Sequence, residues 1–285
     1  IDIRFAGIGH FNAVFWRGRI APIVIVRRWR IPRTVAGIGR LPHGFHRVFG
    51  QNGASFGAGF WSYNDTGCGT GEISFENLRI TGAQSGISWN CPATTVSVRN
   101  SEFIGVNAAI DVSSGATVSV TNALIENAEG PPVRVFTAQN KPTTLNLDHV
   151  TMVATGDPNQ PAIRGRVDNV ASPTKDIEIN LSNSIITGFA HPWSFEAPLS
   201  PVQGNILLSA SHSLTDADGL LTGEASVSSD SNLTGTPTFA GPLDFHLAAG
   251  SPGIDSGDPG ASSPTVDLEG NLRPVDGDGD GVEWW

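Results

Sequence analysis

The amino-acid sequence predicts an all-β fold, a right-handed parallel β-helix followed by an irregular C-terminal cap. Three observations carry that expectation. Alternating apolar segments recur around an Asn: Phe75-Glu76-Asn77-Leu78-Arg79-Ile80, Val98-Arg99-Asn100-Ser101-Glu102-Phe103 and Val120-Thr121-Asn122-Ala123-Leu124-Ile125. The asparagines are 23 and then 22 residues apart, a period that suits one circuit of a coiled stack of strands. Between the segments no 3.6-residue apolar pattern of helical length appears, and Gly, Ser, Thr, Asn and Pro dominate there, as turns require.

The first fifty residues stand apart from the rest. They hold nine Arg, no Lys and Asp2 as their one acid, a formal charge of +8, whereas residues 51–285 hold eight Lys or Arg and 26 acids, −18. Runs such as Arg27-Arg28-Trp29-Arg30-Ile31-Pro32-Arg33 carry no coil pattern. Three readings stay open for residues 1–50: a basic arm for nucleic acid or an anionic surface, an unpatterned N-terminal cap that is otherwise disordered, or wrong-frame text joined to a real domain. No nucleic-acid module motif accompanies the arm, which argues against nucleic acid as the partner. The chain begins at Ile1 rather than Met and is read as part of something longer.

The coils occupy residues 51–231, with five or six copies recognisable over about 55–215. Thr117-Val118-Ser119-Val120, Thr144-Leu145-Asn146-Leu147 and Ile177-Glu178-Ile179-Asn180-Leu181 alternate with period two, so every second side chain faces the core. Asn at the turn tolerates a left-handed backbone, and its amide has reach to bond the Asn of the next coil as a ladder. The fourth and fifth copies are Leu147-Asp148-His149-Val150-Thr151-Met152 and Leu181-Ser182-Asn183-Ser184-Ile185-Ile186, and a weaker sixth is Ala210-Ser211-His212-Ser213-Leu214. His149 breaks the ladder and reads as a substituted turn residue rather than a catalytic one.

Cys68 and Cys91 are also 23 residues apart, each seven before the first apolar residue of its segment. Stacked positions lie about 4.8 Å apart, within disulfide range. A Cys68–Cys91 bridge would clip the first two coils and imply an oxidising compartment; two free buried thiols are the alternative.

From residue 232 to 285 a different text begins. Thr236-Pro237-Thr238-Phe239 and Leu243-Asp244-Phe245-His246-Leu247 are followed by Gly250-Ser251-Pro252-Gly253-Ile254-Asp255 and Asp267-Leu268-Glu269-Gly270-Asn271-Leu272-Arg273-Pro274. This order resembles the C-terminal region of bacterial parallel β-helix proteins of the choice-of-anchor Q domain type. The repeat more distantly resembles the pectate-lyase-like superfamily and polymorphic outer-membrane-protein repeats. The resemblance covers about residues 51–285. It implies a secreted or surface-attached bacterial protein and transfers no catalytic residues. Thr236 stands where the family has Asp, and the family's closing strand would lie beyond Trp285, so the acidic cap is expected to be truncated.

Four features point toward chemistry. Asp276, Asp278 and Asp280 alternate with Gly277, Gly279 and Gly281, the first half of a calcium loop, whose hard carboxylate oxygens converge on one Ca²⁺; an acidic solvated turn is the plainer reading. The turn position then advances 27 residues from Asn122 to His149 and 34 to Asn183. The extra length, at 126–143 and 153–175, is read as loops emerging on one side, bearing Arg134, Lys141, Asp157, Arg164, Arg166, Asp168 and Lys175. Phe189, His191, Trp193 and Phe195 form an aromatic group, a sugar platform or, more ordinarily, a seal on the core. Asp111, Asp148, Asp176 and Glu178 are the candidates for paired carboxyls, none in a recognisable motif.

These readings converge on a secreted or surface-displayed, non-catalytic module binding a polysaccharide or cell-surface glycan. Arg134, Asp148, Arg164, Arg166 and Trp193 are the candidate ligand residues, and a structural Ca²⁺ sits at Asp276, Asp278 and Asp280. A polysaccharide lyase or glycoside hydrolase acting on an acidic polysaccharide is the alternative; catalytic residues are not identified. No stretch is long and apolar enough to span a membrane as a helix. An enzyme should gather acids and a base on one exposed sheet; a display module should show Ser, Thr and Asn there.

Overall fold

The structure, a computed structural model, describes residues 2–4, 10–12, 24–30 and 58–61 at the level of the backbone. It describes residues 71–281 more fully, apart from 93, 114, 128–129, 138–141, 156–157, 168–175, 198–203, 262–263, 278 and 280. Among the described residues there is no helix. At the N-terminal end β1 (Asp2–Arg4) and β2 (His10–Asn12) pair antiparallel, and β3 (Val24–Arg30) lies antiparallel along the first long strand of the stack, Gly71–Thr81. That is where an N-terminal cap would cover the edge of a sheet.

The rest is a parallel solenoid built of two facing sheets. One contains β5 (Gly71–Thr81), β7 (Thr94–Ile104), β9 (Thr117–Asn127), β11 (Thr143–Ala154), β13 (Ile177–Ser182), β16 (Ile206–Ser211) and β19 (Ala225–Asp230). The other contains β4 (Ala58–Trp61), β6 (Ser85–Trp89), β8 (Ala108–Ser113), β10 (Val133–Thr137), β12 (Pro161–Val167), β15 (His191–Glu196) and β18 (Leu220–Thr222). Each strand pairs in parallel with its equivalent one coil away. Short strands β14 (Ile185–Thr187), β17 (Leu214–Thr215) and β20 (Leu233–Thr234) continue the chain past the turn in the later coils.

The turn behaves as Asn chemistry predicts. Asn77, Asn100, Asn122, His149, Asn183, His212 and Ser231 all adopt a left-handed backbone, with φ between 46° and 56°. His149 and His212 therefore are substituted turn residues, and the sixth copy is a real coil. Ser231 marks a further partial turn over 220–234, which the sequence pattern did not announce. A serine directly after the turn adds a clip: Ser101 Oγ donates to Arg99 O at 2.7 Å and accepts from Leu78 N one coil away at 3.3 Å. Ser184 does the same with Ser182 O (2.6 Å) and Val150 N (3.0 Å). These serines are fully buried, so the two bonds remove the desolvation cost of the hydroxyl.

Apolar columns run the length of the stack. Val96, Val118, Leu145, Ile179 and Leu208 are in register and almost wholly buried, as are Ile87, Ile110, Val133 and Ile163 on the facing sheet. Each of the segments expected to be a looped insertion contains a strand of the second sheet. β10 and β12 fill the middle of them in unbroken register, and the excess length falls on either side. In the column Val112, Val135, Gly165, Phe195 the glycine makes room for the ring: a Cβ on Gly165 would stand 2.8 Å from Phe195 Cδ1. The columns end in the last partial turn, where Leu221 and Leu233 are each 39% exposed because no coil lies beyond them among the described residues.

The C-terminal segment begins with a hairpin of β21 (Phe239–Gly241) and β22 (Asp244–Leu247). It then doubles back along the corner of turn residues. Ser251 Oγ accepts from Thr238 N at 2.8 Å, Asp258 N donates to Asn183 Oδ1 at 2.7 Å, and Val266 O accepts from Asn122 Nδ2 at 3.2 Å. The ordered Ser251, Asp255, Asp267 and Arg273 signature thus belongs to a strap laid along the solenoid, as well as to its end.

Candidate binding face

The second sheet places its charged residues in register on its outer face. Alternation sends Val133, Val135, Ile163 and Val167 inward, so Arg134, Arg164 and Arg166 point outward. Arg134 stands directly between Asp111 on β8 and Arg164 on β12. One column along, Phe136, Arg166 and Glu196 are neighbours on β10, β12 and β15. Arg164 Nη2 donates to Glu196 Oε1 at 3.0 Å, and Arg134 Nη2 donates to Asn107 Oδ1 at 3.2 Å.

Electrostatics sets this face apart in a chain that is acidic as a whole. Arg134 and Arg164 are like charges at directly opposed positions, an arrangement that costs stability. Burial lowers the Arg134 pKa, Asp111 raises it and the Arg164 charge lowers it again; the guanidinium stays charged all the same. Burial pushes the Asp111 carboxyl up, with Arg134 pulling the other way. The Arg164–Glu196 pair is 40% and 46% exposed, so it contributes little to stability and is free to exchange partners.

The structure separates the remaining predicted residues from this face. Trp193 continues the inward column of Ile163 and is half-buried, its indole packed so closely over Gly219 that no side chain fits there. Phe189 and Phe195 are buried, and His191 Nδ1 lies 2.8 Å from Asp218 O. The aromatic group seals the core. Asp148 sits on the other sheet beside the turn, where its Oδ1 meets His149 Nδ1 (3.0 Å), Ser182 Oγ (2.8 Å) and Asn183 Nδ2 (3.1 Å). Burial pushes the Asp148 carboxyl up, but the hydrogen bonds from His149, Asn183 and Ser182 outweigh it and hold the group below the usual carboxylate range.

Asp176 Oδ1 accepts from Asn205 N at 3.0 Å, and Glu178 points outward as its alternation requires. Asp276 accepts from Gly279 N at 2.6 Å and Gly281 N at 2.9 Å. Cys68, Asp278, Asp280, Lys141, Asp157, Asp168 and Lys175 lie outside the described residues. Among the described residues no three His, Cys, Asp or Glu side chains converge as a metal site, and no helix is long and apolar enough to cross a membrane.

Glu196 escaped the sequence reading. Its signal, an acid two residues past Ser194 on the strand that stacks on Arg164 and Arg166, exists only once β12 and β15 are paired. The outer face of the long sheet is different again: Ser74, Ser97, Ser119, Asn146, Asn180, Ser209 and Ser228 form one uncharged column.

Fold and face together define a parallel β-solenoid with a laterally displayed charged strip. No protein-family model matches the chain, and neither a curated protein nor a solved structure matches it.

Proposed function

We propose that this is an extracellular or cell-surface β-helix module, non-catalytic, that binds an anionic glycan through Arg134, Arg164 and Arg166. The opposed Arg134–Arg164 pair carries this reading. Two arginines at directly opposed positions on neighbouring strands, whose backbones lie about 4.8 Å apart, repel each other, and carboxylate or sulfate groups of a polysaccharide relieve that repulsion through bidentate bonds. The uncharged Ser and Asn column on the long sheet is what a display module, rather than an enzyme, presents.

Membership of the choice-of-anchor Q type is part of the proposal, supported by the way Ser251, Asp255, Asp267 and Arg273 work as one folded unit. Secretion is supported by the burial of Cys91 and by the lack of any free thiol among the described residues, as a Cys68–Cys91 bridge requires. A structural Ca²⁺ at Asp276, Asp278 and Asp280 completes the reading.

A lyase or glycoside hydrolase is the second reading, favoured by the raised carboxyl of Asp111 beside Arg134. Against a hydrolase, Asp111 and Glu196 stand three strand spacings apart, about 14 Å, where a carboxyl pair needs about 5–10 Å. The test is retention on acidic and neutral polysaccharides, with calcium and with chelator, while products are monitored. Retention on acidic polymers without turnover, lost in Arg164→Ala, supports the module. Unsaturated or reducing-end products would replace it with the enzyme. Absence of both would remove the glycan reading.

A further inference from the structure

Among the described residues of β8, β10, β12 and β15, one phenyl or indole ring stands on the outer face, that of Phe136. β10 reads Val133-Arg134-Val135-Phe136-Thr137 and alternates buried with half-buried residues, so Phe136 leaves the sheet on the same side as Arg134. The rings of β15 go the other way: Trp193 and Phe195 stack on Ile163 and Gly165 and turn inward. A phenyl ring on the solvent side keeps apolar surface in water that the core would otherwise have taken.

The neighbours of that ring are cations. Arg166 lies directly opposite Phe136 on β12 and is exposed, and Ser113 lies opposite on β8. Arg134 is two residues back on the same strand, about 6.6 Å away along the backbone. Arg164 is the diagonal neighbour, about 8 Å away, a separation that long side chains and rings bridge. Three arginines therefore surround one ring on two adjacent strands. Acids close the patch at its ends, Asp111 beside Arg134 on β8 and Glu196 beside Arg166 on β15.

Hydrogen bonds lead two of the guanidiniums away from the ring. Arg134 Nη2 donates to Asn107 Oδ1 at 3.2 Å, and a Cβ on Gly130 would stand 3.3 Å from the same nitrogen. Asn107 and Gly130 precede β8 and β10, so Arg134 leans toward the start of its strand. Arg164 Nη2 donates to Glu196 Oε1 at 3.0 Å, one strand further along the stack. Glu196 is also in register with Arg166, so it approaches both arginines of β12 from one side. On their other side β10 presents Arg134 and Phe136, and no acid.

A carboxylate can meet Arg164 and Arg166 from that second side, and whatever carries it must lie over Phe136. A pyranose ring suits the place, because its C–H face stacks on an aromatic face while a uronate carboxylate projects from its edge to a guanidinium. A polyanion without sugar rings supplies the charge and leaves the phenyl face uncovered.

We propose that Phe136 is the sugar-stacking residue of this face: one acidic sugar ring lies on Phe136 and sets its carboxylate against Arg164 and Arg166, on the side away from Glu196. The inference rests on the anionic-glycan reading above and narrows it, since a polymer of uronate rings is preferred over other polyanions of equal charge.

The test is the affinity of the full chain for alginate, a polyuronate, and for poly-aspartate, which has the charge without the rings, at one fixed ionic strength because salt screens both. Phe136→Ala should weaken alginate binding by about tenfold and poly-aspartate binding by less than about twofold. Phe136→Tyr keeps the ring and should bind alginate as the unaltered chain does, whereas Arg164→Ala should weaken both polymers. Phe136→Leu, which keeps apolar bulk without a π face, should show the same selective loss as Phe136→Ala and replaces it if that variant does not fold. Phe136→Leu binding alginate undiminished, or losing both polymers equally, would overturn the platform and leave the charge-based reading standing. An unaltered chain that binds neither polymer would remove that reading and the platform with it.

Discussion

The side-chain amide of Asn122 donates to Asn100 Oδ1 at 2.8 Å, across one coil spacing, and the same nitrogen reaches the Val266 carbonyl 144 residues away. The turn residue is thereby both a rung of the ladder and an anchor for the strap. Asn122 is buried and has φ of 56°, so its replacement removes both bonds and strains the backbone. Asn122→Ala should cost about 2–3 kcal/mol in urea unfolding: roughly 1–2 for the left-handed conformation and about 1 for the bonds. Asn122→Gly keeps the conformation and should cost less than Asn122→Ala. Equal losses would show that backbone strain is not the main term.

Phe195 fits because Gly165 has no side chain. Gly165→Ala should destabilise by about 1–3 kcal/mol through overpacking, read as a lower Tm. Phe195→Leu should relieve part of it, so the double variant is less destabilised than the sum of the two single changes. Simple additivity would place the strain elsewhere.

Arg134 opposes Arg164 on the neighbouring strand. Arg134→Gln should leave the unliganded protein as stable as before, or stabilise it by up to about 1 kcal/mol. It should weaken retention on an acidic polysaccharide by about tenfold or more. A loss of stability with unchanged binding would mean that the row is structural.

Asp111 supplies a pH test with a definite sign. A carboxyl whose folded value lies above its unfolded one holds its proton better in the fold. Stability therefore falls as pH rises from about 4 through the raised value. Asp111→Asn should flatten that fall, measured as Tm at several pH values. A steeper fall in the variant would show that the charged Asp111–Arg134 pair is a net stabiliser.

Reduction probes the first coils. If Cys68 and Cys91 are bridged, the closed loop restricts the unfolded chain, and a reductant should lower stability by about 3 kcal/mol. Unchanged unfolding in reductant, with two titratable thiols, would mean that the cysteines are free.

Much of the fold was legible because its rules are local. A left-handed turn favours Asn whatever lies around it, and a half-buried strand shows its period of two within five residues. Hence Asn77, Asn100, Asn122 and Asn183 marked the coils, and His149 was placed at a turn despite its chemistry. The Ser101 and Ser184 clips left a local trace too, an Asn-Ser pair, but its meaning needs the amide of the coil below. β10 and β12 were misread as loops because variable connections on either side hid their register.

The site follows the same division. The sequence by itself determined which coil each arginine belongs to, from the spacing of the turn residues that flank it, and which way Glu178 points, from alternation along one strand. Only the tertiary structure decided that Arg134 faces Arg164 and Asp111, that Trp193 turns inward over Gly219, and that Asp148 serves the turn corner. Those relationships join residues tens of positions apart. They depend on the pairing of whole coils, as the strap depends on polar anchors that have no periodicity for a sequence to display.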